Sequence, residues 1–227
     1  MENDKVKYLG MYFDGSLTFK QQVATISCKV NRLVGIFWKM TDLDLDIKKI
    51  IYHSLVESHI NYGIVIWASS ISKNVLGNFP AGHVPENLKA VKKAQNKVVR
   101  AIFRLPKYDK KRKIATEMGP LYKKLQILKL HDLYYYNIAL ICFNFLKVEG
   151  FPNKLTDYFI KKTDINERTT RSNTLDFYYQ SPRLSSTYRK PSLCGAAFWN
   201  SLPDDIKNID SLNKFKDKLR TYLINKY

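Results

Sequence analysis

Asn87-Leu88-Lys89-Ala90-Val91-Lys92-Lys93-Ala94-Gln95-Asn96-Lys97-Val98-Val99-Arg100-Ala101-Ile102-Phe103-Arg104-Leu105 reads as one amphipathic helix, and its two sides decide what kind of molecule this is. Wound at about 100° per residue, Leu88, Val91, Gln95, Val98, Ile102 and Leu105 fall on one side, at the spacing of a buried stripe. Lys89, Lys93, Lys97, Arg100 and Arg104 gather on the other. A solvated helix face ordinarily mixes Glu with Lys, because opposite charges four residues apart stabilise a helix by ~0.2–0.5 kcal/mol per pair. This face has no acid, so its cations repel one another unless an anion lies nearby. The excess continues through Lys107, Lys110, Lys111, Arg112 and Lys113, so that eleven basic residues stand against one acid, Asp109, between Asn87 and Lys113. A solubilising lysine surface is the plain alternative. The continuation into the loop favours a polyanionic partner.

The whole chain has 227 residues and a formal charge of +18, enough for one large or two small domains with a basic surface. At 45% hydrophobic and 13% aromatic it is too apolar for wholesale disorder. Its charge points to nucleic acid first and an anionic membrane surface second. Cys28, Cys142 and Cys194 are scattered, with no C-x-x-C, which argues for reduced thiols and against a zinc knuckle. Each lies among apolar residues, so buried inert thiols are expected. The start lacks a basic patch and an apolar run. Ile60–Trp67 and Ile138–Leu146 are shorter than the ~20 residues a membrane span needs. A soluble intracellular protein without a membrane span is expected.

The fold expected is mainly α: a helical bundle with a short N-terminal β-strand or hairpin element and a C-terminal amphipathic helix. Lys5–Phe13 reads as a single strand ended by Asp14-Gly15. Nothing else pairs convincingly with it, which points to a sheet lost upstream. Thr18 and Gln21 have capping-box spacing before a helix carrying Phe19, Val23, Ile26, Val30, Leu33 and Phe37. A second helix follows Asp42, Asp44 and Asp46, and His59–Trp67 continues it with a break near Gly63. Ser69–Pro85 reads as a loop. Short helices are expected over Pro120–Leu128 and Lys154–Lys161, with a long core helix over Asp132–Lys147 between them. The chain divides into a β element (1–15), a helical domain (16–162), a polar linker or surface loop (163–191) and a C-terminal helical segment (192–227), with Ser211 as a cap.

These elements, in this order, resemble the end of a jockey-like non-LTR retrotransposon reverse transcriptase. Val6-Lys7-Tyr8-Leu9-Gly10-Met11-Tyr12-Phe13-Asp14 is similar to the primer-grip "YLG" motif, and Ile51-Tyr52-His53-Ser54-Leu55-Val56 with Ser58-His59-Ile60-Asn61-Tyr62-Gly63 and Trp67 to a thumb stretch. Gln95–Ile102, Leu125–Leu130 with Asp132-Leu133-Tyr134, Trp199-Asn200-Ser201-Leu202-Pro203 and Phe215-Lys216 resemble the motifs that close the family's sequence. Ala115-Thr116-Glu117-Met118-Gly119-Pro120-Leu121 departs from the family's "H-T-x-P-L". The resemblance implies a thumb-like fragment that binds a primer–template or element RNA beside a palm and fingers region. It also implies a nuclear or cytoplasmic ribonucleoprotein setting, and Lys7, Tyr8, Leu9 and Gly10 at the primer end. The Mg²⁺ of such a polymerase would sit on palm carboxylates upstream, so this chain alone is expected to be inactive and to hold no cofactor.

Within the chain itself, no catalytic constellation emerges. Leu202-Pro203-Asp204-Asp205 reads as a helix start. Asp42, Asp44 and Asp46 lack the glycine and terminal Glu of a calcium loop. His53, His59, His83 and His131 have no ligand spacing. The alternative to a nucleic-acid fragment is a domesticated helical protein–protein module whose basic face meets an acidic partner. A third reading, a membrane surface, requires the apolar side of the basic helix to be exposed.

Overall fold

Val, Tyr and Phe favour extended backbone at the N-terminus, and the first strand finds its partner across a two-residue turn. In the computed structural model, which describes residues 5–74, 85–109, 114–148, 152, 158–165, 175–179 and 190–227, β1 (Lys5–Tyr8) and β2 (Met11–Asp14) form an antiparallel hairpin. Lys5 faces Asp14 and Tyr8 faces Met11. Leu9 (φ 45°) and Gly10 (φ 77°) supply the two positive-φ positions of a tight hairpin turn whose twist matches the strands. The lone strand expected over Lys5–Phe13 is therefore two strands, and the argument for an absent sheet falls away.

The turn into α1 (Lys20–Lys39) also differs from expectation. Thr18 does not cap the helix. Its N–H donates to Asp14 Oδ1 at 2.7 Å and its hydroxyl to Oδ2 at 3.0 Å. The Thr18 N–H is the chief cause of a carboxyl held below its usual range. Gln22, rather than Gln21, reaches back, accepting the Tyr12 N–H at 3.1 Å. A carboxylate four residues upstream outcompeted the local Thr-x-x-Gln pattern.

α2 (Leu45–Ile51) starts after Asp44, runs through a π-helical stretch (Tyr52–Glu57) and continues as α3 (Ser58–Asn61). Gly63, at φ 62°, breaks it before α4 (Ile64–Trp67). A side chain there would collide with Met11 Sδ of the hairpin, so the break is where β2 seats. Tyr62 secures the same place by donating its hydroxyl to the Leu9 carbonyl. After a 3₁₀ turn (Ser69–Asn74) and another at Glu86–Leu88 comes α5 (Lys89–Ile102). A two-residue ladder pairs β3 (Tyr108–Asp109) with β4 (Ile114–Ala115). α6 (Gly119–Leu125) and the core helix α7 (Leu130–Lys147) follow.

Of the expected helix over Lys154–Lys161, Tyr158 is 3₁₀-helical and the end is extended instead. Ile160–Lys161 forms β5, paired with β6 (Phe177–Tyr178); residues 153–157 lie outside the described residues. Phe159 and Phe177 are 5.0 Å apart between ring centres, and both are buried. Within the polar stretch 163–191, the described residues around Asp176 belong to the core. The Trp199 indole donates to the Leu175 carbonyl, and Asn200 exchanges two hydrogen bonds with the Phe177 backbone. α8 (Pro191–Asn200), α9 (Asp204–Lys207) and α10 (Leu212–Ile224) complete a mainly helical fold, α8 and α10 packing on α7.

Two buried polar groups tie the layers together. Gln95 is fully buried on α5; its amide donates to Tyr52 Oη (2.8 Å) and the Leu128 carbonyl (2.9 Å) and accepts from Leu130 N (3.0 Å). Glu57, on the π-helical turn, meets His53 at 2.7 Å and Arg220 of α10 at 3.1 Å. Burial pushes the Glu57 carboxyl up, but His53 and Arg220 outweigh it and leave it below its ordinary value.

Gln95→Leu keeps the volume but strands three buried partners, each costing ~1–3 kcal/mol. Urea unfolding should register a loss of about 3 kcal/mol or more, and a loss under about 1 would mean water replaces the amide. The Glu57 contribution, with its folded pKa depressed, is present above about pH 4.5 and lost as pH falls through the folded value. Arg220→Met should cost about 3 kcal/mol at pH 7 and move the acid-unfolding midpoint to higher pH.

Candidate nucleic-acid interface

α5 is placed by its apolar stripe. Leu88, Val91, Gln95, Val98 and Ile102 are all buried, as the 3.6-residue period predicts. The membrane-surface reading needs this stripe exposed, so it fails. Among the described residues no helix is long and apolar enough to cross a membrane.

α5 lies along α1, its most extensive helical neighbour. Lys97 Nζ donates to Asn31 Oδ1 (3.2 Å) and an Arg104 Nη2 to the Trp38 carbonyl (3.3 Å). Both links span 66 residues, so the two helices run parallel. α1 carries Lys20, Lys29, Arg32 and Lys39, all exposed, and no acid from end to end. Asp14 and Asp42 are the nearest acids in sequence on either side. Two adjoining helices therefore present cations on one continuous surface, with neutral Ala24, Asn31 and Gly35 exposed among them and Ser27 half-buried. The charge of Lys29, after burial, contributes to holding His59 below its usual pKa.

The expected residues divide. Lys93 and Lys97 are exposed and, like Arg104, have no ion pair among the described residues. Lys89 is already paired with Glu86, and the Arg100 guanidinium turns the other way, to Met118 Sδ at 3.6 Å. Lys107 is exposed beyond the helix end. Lys110, Lys111, Arg112 and Lys113 lie outside the described residues. On the hairpin, Lys7, Tyr8, Leu9 and Gly10 are all exposed. Tyr8 is 63% exposed, which excludes a core role, and Lys7 Nζ stands 5.5 Å from the Tyr12 ring centre. Gln22, which holds the hairpin, sits roughly 180° around α1 from Asn31, which holds Lys97. The hairpin and α5 thus flank α1 on opposite sides, and the exposed cationic arc of α1 bridges them.

Sequence reasoning missed that arc. Its signal was present as a 27-residue gap between acids, Asp14 to Asp42, but only four cations spread over it and none clusters. Sequence reasoning also missed how α5 ends. Arg104 adopts φ 55°, and the Arg104 N–H bonds Ala101 O while Leu105 N–H bonds Arg100 O. This is the helix stop usually built on glycine. An arginine stands there instead, against a left-handed cost of ~1–2 kcal/mol.

The other sequence candidates are accounted for elsewhere in the fold. Asp204 and Asp205 open α9 and go to different lysines, Lys207 (2.9 Å) and Lys218 (3.1 Å). Asp44 precedes α2 and Asp46 lies in its first turn. His53 is paired with Glu57, and His83 lies outside the described residues. Among the described residues no group of three His, Cys, Asp or Glu could hold a metal ion. Cys142 and Cys194 are buried, and burial pushes the Cys194 thiol up to about 12. Cys28, expected to be buried, is exposed on α1, because its wheel position falls opposite Val23, Ile26 and Val30. The chain matches no family model, no curated protein and no solved structure.

Arg104→Gly relieves the left-handed strain while giving up one exposed hydrogen bond worth ~0.5–1.5 kcal/mol. The melting temperature should hold or rise while binding to duplex nucleic acid weakens. A clear fall in melting temperature would show that the arginine is there for stability.

Proposed function

We propose that this chain is a nucleic-acid-binding helical module, akin to the thumb and closing region of a jockey-like retrotransposon reverse transcriptase, that grips a duplex without polymerising. The observation that carries the reading is the acid-free cationic surface shared by α1 and α5, in which Lys93, Lys97 and Arg104 have no carboxylate partner among the described residues. Like charges four residues apart, as at Lys93 and Lys97, repel. A chain of phosphates removes that repulsion and releases counterions, making affinity steeply salt-dependent. Such contacts position a duplex and read no sequence, which suits a surface that must slide along its substrate. The small side chains of Ala24, Ser27 and Gly35 let a sugar–phosphate backbone approach closely. The hairpin residues Lys7, Tyr8, Leu9 and Gly10 are the ones that the family resemblance assigns to the primer end, and all four are exposed. The absence of polymerisation rests on the same resemblance, with Asp204 and Asp205 committed to lysines.

Lys93→Glu/Lys97→Glu should lower affinity for a mixed-sequence duplex by at least about tenfold near 0.1 M salt. It should also reduce the log–log salt slope by about 2, at ~0.9 per lost contact. Far-UV circular dichroism should not change, since both side chains are solvent-facing. Unchanged affinity would exclude this surface. A shallow salt dependence with no preference for duplex over single strands would instead favour an acidic protein partner.

A further inference from the structure

The outward face of α2, the π-helical stretch and α3 is apolar. Ile47, Ile50 and Leu55 are exposed along it, Ile50 at 65%, and Tyr62 follows at the end of α3. Tyr52, Val56 and Ile60, on the opposite side, are buried. Leu55 owes its place to the π-helical stretch. At 100° per residue it would stand beside Lys48, seven residues earlier and buried. The wider i→i+5 turn over Tyr52–Glu57 advances less per residue and leaves Leu55 39% exposed. Such turns are rare and recur at functional sites. This one puts into water a leucine that an α-helix would have placed on the buried side.

α1 widens this ridge into a two-helix face. It packs against the π-helical stretch and α3, and its Lys29 stands close enough to His59 of α3 to help depress the imidazole's pKa. Ile36, seven residues on from Lys29, lies on the same flank of α1 and is 43% exposed. α5 takes the other flank, beside Asn31, so the ridge is separate from the α1–α5 surface. The two ends of the ridge carry opposite charge. At its start Asp42, Asp44 and Asp46 are exposed and have no ion pair among the described residues. At its far end Lys29 flanks His59, and the exposed Lys7 belongs to the hairpin whose turn Tyr62 holds. No acid occurs from Ser58 to Trp67. From Leu45 to Asn61 the ridge runs roughly 25 Å, at about 1.5 Å per residue.

We propose that this ridge is the interface with a second copy of the chain, the two related by a two-fold axis that crosses it between Ile50 and Leu55. Such an axis runs the two ridges antiparallel and makes every contact reciprocal. Ile50 of each copy packs on Leu55 of the other, and Asp46 comes opposite Lys29 and His59. Each acidic end thereby meets a cationic end. A parallel arrangement would set three carboxylates against three, and like charges across an interface disfavour it. A face about 25 Å long and two helices, or about 20 Å, wide covers roughly 500 Å² per copy. That is below the ~800 Å² per partner of a stable complex, so the dimer is reversible, with a Kd in the micromolar range. Because α5 lies on the other flank of α1, the dimer does not depend on the nucleic-acid reading.

The test is sedimentation velocity of the full chain from about 1 to about 200 µM, across which the average mass should climb from monomer toward dimer. Ile50→Asp should raise the Kd at least about tenfold, since it buries a carboxylate beside the axis. The monomer's melting temperature should hold, because Ile50 is exposed. Leu55→Ser is a milder variant with the same direction of effect. Asp46→Lys and Lys29→Glu should each weaken the dimer alone. An equimolar mixture of those two should restore it as a heterodimer, because each mismatched contact then becomes a pair of opposite charges. A chain that stays monomeric throughout overturns the proposal. So does a dimer indifferent to both Ile50→Asp and Leu55→Ser, whose interface lies elsewhere. Loss of the dimer in Ile50→Asp without rescue in the mixture overturns the two-fold arrangement. A monomer that cosediments with neutral lipid vesicles gives the ridge to a bilayer surface and defeats the second copy.

Discussion

The orientation of α5 depends on one buried amide. Gln95 sits on the apolar side of that helix and commits both amide hydrogens and its carbonyl oxygen to three different segments: Tyr52 of the π-helical stretch, Leu128 in the turn before α7, and Leu130 at the start of α7. Apolar side chains on this stripe define which side is inward but tolerate small rotations, since dispersion and hydrophobic burial are not directional. Hydrogen bonds are directional, so three of them converging on one residue fix the rotation and height of α5. Lys93 and Lys97 face solvent because Gln95 faces Tyr52.

The same logic runs through the rest of the fold. Gln95, Glu57 and Asp176 are buried polar groups that stand where two elements must meet in one register, and each has a partner distant in sequence. Glu57 joins α10 to the π-helical turn, and Asp176 joins the short β5–β6 ladder to α9 through Lys162 and Lys207. Asn200 takes the place of a neighbouring strand by bonding both backbone groups of Phe177. Each arrangement stabilises little by itself, because the exchange with water nearly balances. Removing one partner is costly, so these groups select one arrangement among many apolar packings.

The sequence made the helices legible where burial is one-sided. Leu88, Val91, Val98 and Ile102 on α5, and Phe215, Leu219 and Leu223 on α10, are buried as their period requires. It was less legible where a tertiary partner decides the local geometry. Thr18 and Gln21 have capping spacing, yet Asp14 takes the threonine and Gln22 serves β2. Lys5–Phe13 reads as one strand, because Leu9-Gly10 lacks the Asn-Gly signature of a tight hairpin turn. The concentrated half of the cationic surface was visible, since its charges are consecutive on one helix. The α1 half was not, since a sparse set of cations gains meaning only when α5 is laid beside it.

The parallel pairing of α1 and α5 has a consequence for how the molecule comes into being. Two parallel neighbours cannot be joined by a short turn, so the chain must make a long excursion through α2, α3 and α4 before the second helix returns alongside the first. Contacts 66 residues apart belong to the slow, late part of assembly, after local turns and the N-terminal hairpin have formed. Neither helix by itself presents the full cationic surface. A nascent or partly folded chain therefore exposes only scattered lysines, and the finished cationic surface exists once the excursion has closed.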